Sequence, residues 1–173
     1  DATARSLDIQ YYIWHDDLTG QLMFDALRRA ADRGVRVRLL LDDWYTAGMD
    51  PLLLGLAATP GVEVRLFNPF VTGRGSSLGR LWGLATDFGR LNHRMHNKLL
   101  IVDGVMVIAG GRNLTDEYFL RGSEGNFIDF DVLLAGPVVA QLGSWLDRYW
   151  NARDVITIAA VAAPSADTEE MRR

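Results

Sequence analysis

Cysteine is absent from this 173-residue chain, which removes disulfides, thiolate metal sites and cysteine nucleophiles together. Lysine is almost absent: of 18 basic residues only Lys98 is not arginine. Positive charge is in deficit overall, with a net charge of −4 and a pI near 5.3. That balance argues against a surface built mainly to hold nucleic-acid phosphates, and nucleic acid is disfavoured as a partner. No apolar run approaches the roughly 18 residues of a membrane-spanning helix, and Asp1-Ala2-Thr3-Ala4-Arg5 is no signal-peptide start. The chain also lacks an initiating methionine, as expected of a processed product or an excised segment.

What remains is a globular composition. Hydrophobic residues make up 49 % and charged residues 23 %, and the mean hydropathy is +0.02. A chain of this length forms one domain that buries roughly 70 % of its unfolded surface.

The pattern predicts an α/β fold with a mixed, mostly parallel sheet flanked by helices. Leu7 to Ile13 reads as a buried strand, and Asp16, Asp17 or Thr19 caps a helix with Leu22, Ala26, Leu27, Ala30 and Ala31 inward. Gly34 stops it before the strand Val35 to Leu41. A second helix spans Asp50 to Ala58, with Pro51 in its first turn, and Pro60-Gly61 precedes the strand Val62 to Phe67. This β-α-β-α-β order implies parallel strands with right-handed crossovers. Asp42 and Asp43 end a strand where such folds place ligands, but they read first as caps for the next turn.

A long connection from Asn68 to Arg94 follows, carrying Leu78, Leu81, Trp82, Ala85, Phe88 and Leu91 at helical spacing. Such a stripe packs on a sheet or meets a membrane surface, and Trp82 and Phe88 are its membrane-facing candidates. Lys98 to Ala109 reads as a hairpin turning at Asp103-Gly104, the best pair for a type I′ turn. A turn around Thr115 to Leu120, a strand from Asp129 to Ala135 and a helix with Val138, Leu142, Trp145, Leu146 and Tyr149 inward complete a domain over 1–153. Residues 154–173 read as linker or tail.

The chemistry concentrates in eighteen positions, 96–113. His96 and Lys98 lie at strand spacing, so an imidazole and an ammonium converge on one small anion. Lysine is a compact point charge that the arginine fork replaces poorly beside a phosphate oxygen. Gly110 and Gly111 leave the backbone open to substrate, and Asn113 offers an amide donor to the same anion or caps the following turn. Asp103 is explained by turn chemistry, with direct catalysis as its alternative. No cluster of carboxylates and histidines at ligand spacing surrounds these residues, so no metal is expected.

The run HNKLLIVDGVMVIAGGRN resembles the His-x-Lys-x4-Asp motif, with trailing Gly-Gly-x-Asn, of the phospholipase D superfamily. The segments LDIQYYIWHDDLTGQLMFDALRRAADRGVRVRLLLDD, VEVRLFNPF, DFGRLNHRMHNK and FDVLLAGPVV are similar to the first half of bacterial C-type cardiolipin synthases. The likeness covers roughly 1–150.

The resemblance implies a phospholipase D-like half domain that transfers phosphatidyl groups on glycerophospholipids. One motif histidine attacks phosphorus to give a phosphohistidine, and a second motif's histidine protonates the leaving alcohol. Asp129, with Asp131 as alternate, is the expected acceptor beside His96, which would select its tautomer. Lys98 and Asn113 would hold the non-bridging oxygens. His93 and Arg94 would add positive potential at the headgroup. No cofactor is implied, and the expected place is peripheral at the bacterial inner membrane or cytoplasmic. This chain carries one motif where the lipid-processing members carry two. Either it is the N-terminal half of a longer enzyme, or two copies rebuild the site as in the small single-motif endonucleases of the superfamily. The lipids involved, hydrolysis against transfer, and the nucleophilic histidine stay open.

Overall fold

The computed structural model describes residues 5–70, 78–79, 81–82, 85 and 91–162. Strand β1 (Ser6–Tyr11) leads to helix α1 (Leu18–Asp32), β2 (Arg36–Asp42), α2 (Asp50–Ala57) and β3 (Val62–Phe67). Asp17 caps α1 by accepting from the Gly20 amide, and Gly34, at φ 87°, turns the chain out of it. The buried stripe of α1 is Gly20, Phe24, Leu27, Ala30 and Ala31. Leu22, expected inward, is exposed; Phe24 takes the core position.

Strands β1, β2 and β3 pair in parallel, as the helical crossovers require. The rest of the sheet corrects the mostly parallel expectation. Strand β4 (Leu99–Val102) runs antiparallel to β1, β5 (Met106–Gly110) to β4, β6 (Asp131–Ala135) to β5, and β7 (Val155–Thr157) to β3. Among the described residues four of the six strand pairs are thus antiparallel, in the order β6-β5-β4-β1-β2-β3-β7. The short turn between β4 and β5 reverses the chain, and the link 111–130 between β5 and β6 carries only the 3-10 turn Asp116–Phe119, with no α-helix to carry a parallel crossover.

Helix α3 (Pro137–Trp150) covers the opposite face from α1 and α2. Its buried residues are Val139, Leu146 and Trp150, whereas Val138 and Trp145 are exposed. Leu146 is inward as expected and Leu142 and Tyr149 pack against the same cluster, so the expected stripe fails only at Val138 and Trp145, where Val139 and Trp150 are buried instead. Val155–Thr157 of the expected tail forms β7, and Ile158 and Ala162 join the core.

One sheet face is covered unevenly. Leu7, Ile9, Val37, Leu39 and Leu41 pack with α1 and α2, but these helices do not extend over β5 and β6. There Ile108 stands between Leu100 and Leu133, and Met106 between Val102 and Ala135. Ile108 is 40 % and Leu133 68 % exposed. No helix among the described residues is long and apolar enough to cross a membrane.

Candidate functional site

The site grows from the ends of β1, β2 and β4. The Gly110 amide donates to the Lys98 carbonyl, extending the β4–β5 ladder by one pair, and Gly110 stands opposite Asp131. Lys98, Gly110 and Asp131 therefore form the next row on the face that carries Leu100, Ile108 and Leu133. Lys98 is buried at 7 % exposure. Its Nζ lies 3.1 Å from His96 Nδ1 and donates to the His96 carbonyl at 2.8 Å. The Tyr12 ring lies against the imidazole, 4.4 Å between centroids, and Lys98 Nζ lies 5.3 Å from that ring's centre.

Burial, then the Lys98 charge, holds the His96 pKa below its ordinary value, which favours the neutral imidazole a nucleophile needs. Burial lowers the Lys98 ammonium as well, and the Asp129 carboxylate pulls it back up. Asp129 accordingly acts on Lys98; its own Oδ1 accepts from the Phe130 amide. Nδ1 of His96 faces the ammonium, not a carboxylate, in this structure. Asp131 accepts from the Arg112 amide at 3.3 Å.

Asn113 is buried, and its Oδ1 accepts from the Ile13 amide at 3.1 Å. That bond fixes the side chain to the end of β1 and leaves its NH2 as the donor group. Gly110 is enforced by close approach: a Cβ there would lie 2.4 Å from the Phe130 carbonyl oxygen and 2.6 Å from Asp131 Cα, whereas one at Gly111 would meet only the Asp129 side chain, its Oδ1 at 2.1 Å.

Asp103 sits at the other end of β4, at φ 53° beside Gly104 at φ 67°, the pair of positive values that a type I′ turn needs. Its Oδ1 accepts from the Arg5 and Ser6 amides at 3.0 and 2.7 Å, pinning the start of β1. His93 is exposed, with its carbonyl accepting from Asn68 Nδ2. Arg94 turns inward to Asp42 and to the Asn68 carbonyl. Leu78, Leu81 and Trp82 are exposed, Trp82 at 70 %; Phe88 lies outside the described residues.

Two groupings escaped the sequence. Asp42 meets the run preceding His96 across 52 positions. His15, Asp17 and Glu117 bring ligand atoms within 4.8 Å of one another, where no metal grouping was expected. Asp17 already accepts from the Gly20 and Asp116 amides, and Glu117 from the Thr115 hydroxyl. Neither grouping has a local signal, since each joins residues far apart in the chain.

Residues 1–150 match the family described as cardiolipin synthase, PLD-like domain. The chain belongs to this family, and so to the phospholipase D superfamily of transferases and hydrolases that work on phosphodiesters through a His-x-Lys-x4-Asp site. It is 52 % identical over 157 residues to cardiolipin synthase C of Escherichia coli K12, covering 91 % of this chain and 32 % of that protein. It thus spans about a third of that relative's length. Two solved structures share the fold. NucT from Helicobacter pylori matches with a TM-score of 0.60 at 16 % identity, over 90 % of this chain and 84 % of that one. Nuc from Salmonella typhimurium, a phospholipase D family member, matches at 0.59 and 18 %, over 91 % and 84 %. These likenesses put in doubt the reading, drawn from acidity, that nucleic acid is an unlikely partner. Net charge sums the whole surface, whereas a phosphate site depends on a few local groups, so acidity alone does not make nucleic acid an unlikely partner.

Proposed function

We propose that this chain supplies one half of a phosphodiester-processing site in which His96 is the covalent nucleophile and a second copy of the chain supplies the other half. The observation that carries the reading is the His96–Lys98 pair, 3.1 Å apart, bordering a sheet face on which Met106, Ile108 and Leu133 are exposed. A substrate phosphate would draw the Lys98 ammonium onto a non-bridging oxygen, with the Asn113 amide on another. An imidazole nitrogen then bonds phosphorus as the ester P–O bond breaks. The partner's His96 protonates the leaving alkoxide, and later takes a proton from the incoming water or alcohol as the P–N bond breaks.

The open face supports a second copy as the partner. Ile108, Leu133 and Met106 lie in rows beside Lys98, Gly110 and Asp131, so two copies joined there by a two-fold axis would bring two motifs together. NucT and Nuc, matched over 84 % of their lengths, are chains of comparable size with this fold. Light scattering is expected to give twice 19.3 kDa. The purified dimer should cleave a phosphodiester such as bis(p-nitrophenyl) phosphate, and His96→Ala should lose that cleavage. Full turnover by the His96→Ala chain would refute the reading.

A second reading has its own support: the 52 % identity with cardiolipin synthase C over about a third of its length. In it, the domain, with β7 and the core residues Ile158 and Ala162 included, is the first part of a longer phosphatidyltransferase acting on glycerophospholipid at a membrane surface. Exposed Leu78, Leu81 and Trp82 suit contact with lipid. Conversion of phosphatidylglycerol vesicles to cardiolipin would favour this reading, whereas cleavage of single-stranded DNA would favour a nuclease.

A further inference from the structure

Residues 92–98, which carry the motif histidine, have no regular secondary structure; the strand begins only at Leu99. Something other than a ladder must therefore hold His96 in place. Asp42, the last residue of β2, has a side chain with 0 % exposure. Its Oδ2 accepts from the Met95 amide at 2.8 Å, one residue before His96. Its Oδ1 accepts from Arg94 at 3.0 Å and from the Trp44 amide at 2.9 Å. Arg94 donates onward to the Asn68 carbonyl at 2.8 Å, and Asn68 Nδ2 donates back to the His93 carbonyl at 2.9 Å. Three successive residues, 93, 94 and 95, are thus tied to the ends of β2 and β3.

A buried carboxylate is costly, and burying an ion pair rarely yields more stability than apolar packing would. Positioning explains its place better than stability does: Asp42 reaches the backbone amide next to the imidazole and the guanidinium before it. We infer that Asp42 is a positioning residue for His96, fixing through Met95 and Arg94 where the imidazole stands over Tyr12 and against Lys98. The inference rests on His96 being the reacting group.

The arrangement is sensitive to protonation. The groups facing Asp42 are Arg94 from the motif run, Asp43 from its own turn and the Tyr12 phenol following β1. Burial pushes Asp42 up to about 6, against the pull of Arg94 and the two backbone amides, while Asp43 adds to the rise. Below that pH the carboxylate carries a proton, and its hold on Arg94 and the Met95 amide weakens.

The test uses the histidine ring resonances of the full-length, nitrogen-15-labelled chain, which has only three histidines. In the wild type, His96 is expected to show its own titration and a second inflection near pH 6 from Asp42. In Asp42→Asn, checked for folding by circular dichroism, that inflection disappears. Turnover of bis(p-nitrophenyl) phosphate should then lose about 10- to 100-fold in kcat with KM little changed, the pattern of a displaced reacting group. With the Asp42 carboxyl carbon followed in a carbon-13-labelled sample, His96 signals that do not respond where that carboxyl titrates, or Asp42→Asn signals and kcat matching wild type, would overturn the inference. The wild-type titration decides even if the variant does not fold. Full turnover by His96→Ala would instead refute the nucleophile reading, and the titration would still report whether Asp42 governs the ring.

Discussion

The Lys98 ammonium lies 3.1 Å from His96 Nδ1 and 2.8 Å from the His96 carbonyl oxygen, closing a small ring between residues two apart. The chain's only lysine therefore acts on its candidate nucleophile before any substrate arrives. It opposes protonation of the imidazole, and it stands ready for a phosphate oxygen.

Replacing Lys98 with methionine should move His96 upward in pKa. Burial and the Lys98 charge both lower it, and the substitution removes the second cause while keeping an apolar stem in place. Histidine NMR against pH reads the shift. Turnover should fall by about 100- to 1,000-fold, the scale of losing one charge-stabilising donor, and an unmoved His96 titration would count against the coupling.

Gly110→Ala should destabilise the domain. The added carbon would meet the Phe130 carbonyl oxygen at 2.4 Å and Asp131 Cα at 2.6 Å, forcing the start of β6 away from β5. Overpacking of this kind costs about 1–3 kcal/mol. A melting temperature equal to wild type would show that the 129–131 segment yields without resistance.

Asp103→Asn should keep turnover near wild type. Asparagine tolerates the positive φ of this turn, and its carbonyl oxygen can still accept from the Arg5 and Ser6 amides that Asp103 holds. Asp103→Ala loses both features and should cost about 1 kcal/mol or more in stability. A large loss of kcat in a well-folded Asp103→Asn chain would assign Asp103 to the chemistry instead of the turn.

The motif and much of the first half of the fold were legible from the sequence because their signals are local. Val62–Phe67 matches its expected limits, α2 differs by one residue, and Gly34 and Asp103-Gly104 adopt the positive φ values their positions imply. The direction of β4 was not legible. It depends on which edge of β1 the chain meets after a long connection, and nothing in Leu99–Val102 encodes that. In α3, Leu142, Leu146 and Tyr149 pack inward as expected, but Val138 and Val139 are neighbouring apolar residues that periodicity alone does not separate, and Trp145, beside Leu146, lies outside the stripe. Asp42 read correctly as a cap, since it accepts from the Trp44 amide, but its bonds to Arg94 and Met95 cross more than fifty residues.

The open sheet face carries a prediction about assembly. Leu133→Glu places a charge on the exposed row beside Ile108, where the folded monomer does not depend on burial. The variant should keep the circular dichroism and melting of the wild type while sizing as a monomer, and it should lose turnover. A Leu133→Glu chain that stays dimeric and active would place the contact elsewhere.

The central claim is a covalent phosphorus–nitrogen bond at His96. Its most direct test is intact-mass and peptide mass spectrometry of the full chain, quenched under basic conditions during turnover of bis(p-nitrophenyl) phosphate. The account predicts a phosphoryl-ester adduct on the peptide containing His96, absent from His96→Ala. Sustained turnover without an adduct, or an adduct on His15 or His93, would contradict it.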